Sequence, residues 1–237
     1  MNLNRTFPLL FVISVLMSFS VRAELSIQIT QGIDNPIPIA VVPFSWEGSG
    51  VLDEDIGEIV TADLQQVGEF RALSPSNMLA LPREEREVYY RDWSVLAQDY
   101  LLVGKVQRSP GSELIQVQYE FFDINREIKL AGEVLTGTTS QLRDIGHEIS
   151  NVVFELVTGT RGAFTTQILY IVSEFVSPEV SYFRLEKADY DGRRAQVLLE
   201  SREPIMSPSW SPNGQDIAYV SFETDLPRIY TQNIATG

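Results

Sequence analysis

The chain has 237 residues, 18 Lys plus Arg against 32 Asp plus Glu, a formal net charge of -14 and no cysteine. Such an acidic surface repels nucleic acid and anionic membranes, and the missing thiols exclude both a disulfide framework and a thiolate metal site. The length supports one domain plus part of another without covalent staples.

Arg5, the apolar run Phe7 to Phe19 and the small-residue exit Val21-Arg22-Ala23 have the order of a secretory signal peptide over 1–23. The run is short for a membrane span, so direct membrane insertion is not expected. Cleavage after Ala23 leaves 16 basic and 32 acidic residues on 214 positions.

Residues 24–35 come next. Leu25, Ile27 and Ile29 alternate with Ser26, Gln28 and Thr30 before Gly32 and Asp34, a strand-like pattern that ends in a flexible stretch. A short alternating segment at a new N-terminus suits addition to a partner's sheet or folding back onto its own domain. Glu24, Leu25, Ser26, Ile27, Gln28, Ile29, Thr30, Gln31, Gly32 and Ile33 are therefore the candidate partner-binding residues.

Ile37 to Phe44 reads as an interior strand closed by Pro43 and a Trp46-Glu47-Gly48 turn. Asp53 is positioned to cap a helix with the apolar stripe Ile56, Ile59, Val60, Leu64 and Val67, and with Glu54 and Asp55 in its first turn. Phe70 to Leu73 predicts a short strand, and the charged stretch Arg83 to Arg91 leads into a short helix around Trp93 to Ala97.

Tyr100 to Gln107, Leu114 to Ile124 and Ile128 to Leu135 predict an antiparallel meander. Leu142, Ile145, Ile149, Val152 or Val153, and Leu156 then recur at helical spacing behind a Thr138/Gln141 capping box. That helix can cover the sheet, which makes 36–160 an α/β domain.

Thr158 to Gly162 marks a change to strand-only periodicity over 161–237. Strands are expected at Thr166 to Val172, Ser181 to Lys187, Ala195 to Leu199, Ile205 to Trp210, Ile217 to Phe222 and Arg228 to Ile234. Tyr190-Asp191-Gly192 and Ala235-Thr236-Gly237 are equivalent turns 45 residues apart, the period of a four-stranded propeller blade. Fewer than two blades are present, so an incomplete propeller is expected. Its residues 164–237 should expose apolar strand edges and be less stable than 36–158.

Trp210, Pro212, Asn213 and Gly214 are assigned a structural role in a blade turn, with Asn213 and Gly214 tolerating positive backbone angles. His147, the single histidine, falls on the polar side of its helix and reads as a solvated surface residue. Asp53-Glu54-Asp55 and Glu84-Glu85 read as helix capping and solvated charge, since a cation site or a glycosidase pair needs converging oxygens. Neither a catalytic, a cofactor-binding nor a metal residue is assigned, and no cofactor is expected.

The exported start, Glu24 to Gly32, Pro38-Ile39-Ala40-Val41-Val42-Pro43-Phe44 and Met206 to Gly214 together closely resemble the TolB family of Tol-Pal systems in Gram-negative bacteria. The usual family turn is Pro-Asp-Gly where this chain has Pro212-Asn213-Gly214, and asparagine serves the same geometry. The resemblance implies an α/β N-terminal domain followed by a six-bladed propeller, of which about two blades would be present. It further implies a non-enzymatic periplasmic scaffold. Glu24 to Ile33 would contact a TolA-like inner-membrane protein, and the complete propeller would dock a Pal-like lipoprotein. The alternative is the N-terminal part of a secreted propeller-containing serine hydrolase, whose serine, aspartate and histidine would have to follow the blades.

Overall fold

The computed structural model describes residues 35–109, 111–177 and 180–237. The signal peptide and the candidate partner-binding residues Glu24 to Ile33 lie outside the described residues. Among the described residues no helix is long and apolar enough to cross a membrane.

Strand β1 (Ile37–Val41) lies parallel between β3 (Phe70–Ala72) and β4 (Tyr100–Arg108). β4, β5 (Ile115–Asp123) and β6 (Ile128–Gly137) form the expected antiparallel meander. Where a Trp46-Glu47-Gly48 turn was expected, the short β2 (Ser45–Glu47) instead pairs parallel with Lys105–Gln107 of β4. The chain steps aside at Pro43, which has no N–H to give the ladder, and then rejoins the same neighbour further along.

Helix α1 (Ile56–Gln66) is capped by Asp55, whose carboxylate accepts from the Glu58 N–H at 3.1 Å, and not by Asp53. An N-cap side chain accepts from a backbone N–H two or three residues on, a reach to Glu58 that Asp55 has and Asp53 does not. Glu58, in place of Glu54 and Asp55, is the acid in the first turn. Ile56, Ile59, Val60 and Leu64 are buried as expected, but Val67 is the C-cap and largely exposed.

The short helix α2 (Tyr90–Val95) starts three residues earlier than expected and ends two residues earlier, with Leu96 as its C-cap and Ala97 beyond it at φ +54°. Its Trp93 is buried with Ala40, Val42, Leu101, Val103, Phe122 and Ile124 on one face of the sheet. The other face holds the larger core, against α1 and α3 (Leu142–Thr158). α3 follows a 3-10 turn carrying the Thr138/Gln141 capping box and ends at Gly159 in the left-handed conformation. Leu142, Ile145, Ile149 and Val153 are buried, whereas Leu156 is exposed.

Tyr119 on β5 lies in that larger core, and burial pushes its phenol up to about 12. Its folded pKa is above the unfolded value near 10, so the neutral ring favours the fold below pH 10 and the advantage disappears as pH rises towards 12. Alkaline unfolding curves should lose about 2 kcal/mol across that window, and Tyr119→Phe should flatten the loss. An unchanged slope in Tyr119→Phe would contradict this.

The C-terminal part is two three-stranded antiparallel sheets: β7 (Gln167–Ser177), β8 (Val180–Asp189) and β9 (Gln196–Ser201), then β10 (Ile205–Trp210), β11 (Asp216–Ser221) and β12 (Arg228–Asn233). The expected four-stranded blades therefore appear with three strands each. The equivalent turns explain why: β7 and β8 correspond to β11 and β12, so β9 and β10 have no counterparts among the described residues. Leu185, Ile205, Ile217 and Tyr219 fill the space between the two sheets, with Leu169, Ile171, Leu199 and Trp210 packed around them.

In the blade turn, the Gly214 N–H donates to the Ser211 carbonyl at 3.0 Å and Gly214 has φ +69°. Asn213 does not adopt positive φ. Its Oδ1 accepts from Ser211 Oγ at 2.5 Å and from the Gln215 N–H at 3.0 Å, so it organises the loop through its side chain. Gly214→Ala should cost about 1–2 kcal/mol in denaturant unfolding, because a Cβ is penalised at that backbone angle. A loss below about 0.3 kcal/mol would show the turn to be adaptable.

Candidate functional site

Helix α1 carries Asp63 inside its apolar stripe, at the i+7 position from Ile56, where it is only 1% exposed. Helix α3 meets α1 closely because Gly146 has no side chain: a Cβ there would stand 2.8 Å from Ile59 Cγ2. The close approach brings His147 and Ser150 onto Asp63.

Asp63 Oδ2 lies 2.8 Å from His147 Nδ1 and 2.6 Å from Ser150 Oγ, and Asp63 Oδ1 accepts the Tyr190 hydroxyl at 2.6 Å. Tyr190 follows β8, so one carboxylate joins two helices to the turn between β8 and β9. Burial, and then the hydrogen bond and charge of Asp63, push the Tyr190 phenol far above its ordinary value. The hydroxyl stays protonated as a donor.

His147 is the clearest correction to the sequence reading. It is 2% exposed, not solvated, because Tyr190 covers the side of α3 that helical periodicity alone assigns to water. Nδ1 faces Asp63, and Nε2 is buried with no hydrogen-bond partner among the described residues. The ring borders a cavity of about 170 Å³ shared with Asp144, Phe164, Asp189 and Arg194.

Around this centre runs a second ring of charge. The buried Arg143 reaches Glu54 at 3.2 Å, Asp189 at 3.6 Å and Asp191 more closely still. Arg194, in a left-handed backbone conformation, bridges Asp144 at 2.5 Å and Asp189 at 2.6 Å. Hydrogen bonds to Asp144, then Asp189, hold its guanidinium well above the usual range. Aromatic edge contacts complete the junction, with Phe164 5.6 Å from Phe154 and 5.3 Å from Tyr190.

Asp63, His147 and Asp191 place ligand-type atoms within 4.8 Å of one another, a spacing that could suit a metal ion. Their oxygens are already engaged: Asp63 by three donors, Asp191 by Arg143 and by the Arg193 N–H. The arrangement is a hydrogen-bonded joint, and a metal would have to break it.

The other acidic residues are accounted for locally. Glu84 pairs with Lys105 at 3.1 Å and with Arg86, while Glu85 pairs with Lys129 at 2.5 Å. Asp53, Glu54, Asp55 and Glu58 line an open groove of about 500 Å³ beside Arg143 and Asp191. Trp210, the last residue of β10, is half-buried against the cluster between the two sheets, while Pro212, Asn213 and Gly214 lie exposed at the rim. Sequence reasoning missed the joint entirely, although a lone aspartate within an apolar stripe was a visible signal.

Two family models match the chain in order: the TolB amino-terminal domain over residues 25–130 and the TolB beta propeller domain over residues 154–237. The Tol-Pal system protein TolB of Hahella chejuensis is 44% identical over 227 residues, covering 96% of this chain and 53% of that protein. That of Pseudomonas syringae pv. tomato is 42% identical over 229 residues, covering 97% and 52%. The crystal structure of TolB from Acinetobacter baumannii superposes with a TM-score of 0.75 at 31% identity, over 88% of this chain and 50% of that one. The chain thus spans about half the length of the curated relatives it matches.

Proposed function

Because the chain belongs to the TolB family, we propose that it serves as a periplasmic component of a Tol-Pal system, a scaffold that binds proteins and performs no bond chemistry. Its partners in this reading are a TolA-like inner-membrane protein, taken through Glu24 to Ile33, and a Pal-like lipoprotein, taken through the complete propeller. The role is maintenance of the outer membrane and its constriction during division. The domains proposed are a signal peptide over 1–23, the partner segment over 24–35, the α/β domain over 36–160 and propeller blades over 161–237.

The observation that carries the reading is the conjunction of both family modules, in order, on a chain 44% identical to a named Tol-Pal protein. The buried joint favours it further: the only histidine is committed to Asp63 and enclosed, a poor start for the hydrolase alternative. The named relatives lend that alternative no support. Partner exchange would follow from whether the N-terminal segment is free or folded back, so that each binding event alters the other affinity.

The test is binding of the mature chain to a purified, immobilised TolA-like domain, with and without residues 24–33. Deletion should abolish capture by the TolA-like domain and leave the folded α/β domain intact by circular dichroism. Unchanged capture by the TolA-like domain would overturn the assignment of that segment.

A further inference from the structure

The turn between β10 and β11 carries chemistry that blade packing does not use. Asn213 is the only asparagine of the chain followed by a glycine, and both residues are exposed. With no side chain on Gly214, nothing obstructs the approach of its amide nitrogen to the side-chain carbonyl carbon of Asn213. The closed turn holds these two groups in check. The Gly214 N–H donates to the Ser211 carbonyl at 3.0 Å, so the proton that base would remove is engaged. Asn213 Oδ1 accepts from Ser211 Oγ at 2.5 Å and from the Gln215 N–H at 3.0 Å, which tethers the amide. All of these bonds lie within the exposed loop and none reaches the core between the two sheets, so the turn can open without unfolding β11.

We infer that Asn213 is a modification site, converted by spontaneous deamidation when this turn opens, and that the turn then closes on the aspartyl product as it did on asparagine. In the open turn the Gly214 nitrogen gives its proton to base and bonds to Asn213 Cγ. The bond from Cγ to Nδ2 breaks, and the side-chain nitrogen takes up a proton and leaves as ammonia. Water opens the resulting cyclic imide. Addition at Cγ gives an aspartyl residue, and addition at the backbone carbonyl carbon gives an isoaspartyl linkage. One water is consumed and one ammonia released, with no oxidant, cofactor or second protein.

The turn distinguishes the two products. Both hydrogen bonds of the Asn213 side chain are accepted at Oδ1, so a carboxylate takes the same two donors. The aspartyl form therefore keeps the loop and adds a negative charge at the rim. An isoaspartyl linkage inserts a methylene into the main chain before Gly214 and pulls its N–H away from the Ser211 carbonyl. Asn125 supplies the contrast within the same chain. It too is exposed in a hairpin turn, but Arg126 follows it and its Nδ2 donates to Asp99 Oδ1 at 2.8 Å. The Arg126 side chain crowds ring closure, so Asn125 should persist.

The test incubates the purified mature chain in warm, mildly alkaline buffer and follows both asparagines by peptide mass mapping, with electron-transfer fragmentation to separate aspartyl from isoaspartyl products. Replacement of the amide by a carboxyl group should appear at Asn213 well before Asn125. Ser211→Ala removes two side-chain bonds of the turn and should speed the conversion by roughly threefold to tenfold. Asn213→Asp should keep the wild-type unfolding midpoint and the wild-type hydrogen-exchange protection of the Gly214 amide, whereas the isolated isoaspartyl species should lose that protection. The inference is overturned if Asn213 stays intact under conditions that convert a free peptide of residues 207–219, or if Ser211→Ala converts no faster than wild type. An unprotected Gly214 amide in Asn213→Asp would likewise overturn it.

Discussion

Asp63→Ala is expected to lower the stability of the chain by about 3–5 kcal/mol, the largest loss from any single polar substitution at the junction. Truncation leaves His147 Nδ1, the Ser150 hydroxyl and the Tyr190 hydroxyl without their common acceptor in a largely buried site. Each abandoned buried donor costs about 1–3 kcal/mol, partly relieved when Ser150 turns fully to the Gly146 carbonyl 3.0 Å away. Denaturant unfolding would measure the effect. A midpoint within 0.5 kcal/mol of wild type would mean that water reaches the joint and that its burial counts for little.

Phe164→Ala should be almost as damaging, at about 3–5 kcal/mol, for a different physical reason. The ring is 2% exposed and wedged edge-on between Phe154 and Tyr190, so removing it empties space on both sides of the junction. Phe164→Leu should recover most of the loss. Ile229→Ala, at a side chain 78% exposed on β12, supplies the contrast and should change stability by less than about 0.5 kcal/mol. Equal losses at positions 164 and 229 would contradict the assignment of Phe164 to the α/β core.

Strands were legible in the sequence because their alternation is local. Ile217 and Tyr219 fall buried on one face of β11 while Ala218 and Val220 fall on the other, as period two requires. α3 was legible for the same reason, through its apolar spacing and the Thr138/Gln141 box. The caps and edges were less so: Asp53 and Asp55 differ by two positions in an acidic run, and only the Glu58 N–H chooses between them.

The joint was illegible because its determinants are far apart. Asp63 and Tyr190 are 127 residues apart, and helical periodicity sends any polar residue to solvent unless something else covers it. Arg143, His147, Ser150 and Asn151 nevertheless recur at i, i+4, i+7 and i+8, a second helical stripe made of polar side chains, all buried. Asp63 interrupts the apolar stripe of α1 in the complementary way. Two polar signals at helical spacing, one on each helix, were present and needed the third partner, Tyr190, to acquire meaning.

The same contacts shift the expected stability boundary. The strand-only region was expected to be weaker from residue 164 onwards, yet Phe164 and Tyr190 pack with the α/β core, so the step should fall between β9 and β10. Native-state hydrogen exchange tests this most directly. The account predicts a common opening free energy for amides of α1, α3 and β8, with faster exchange beginning at β10. Exchange of β8 at a free energy several kcal/mol below that of α1 and α3, in the wild-type chain, would contradict it.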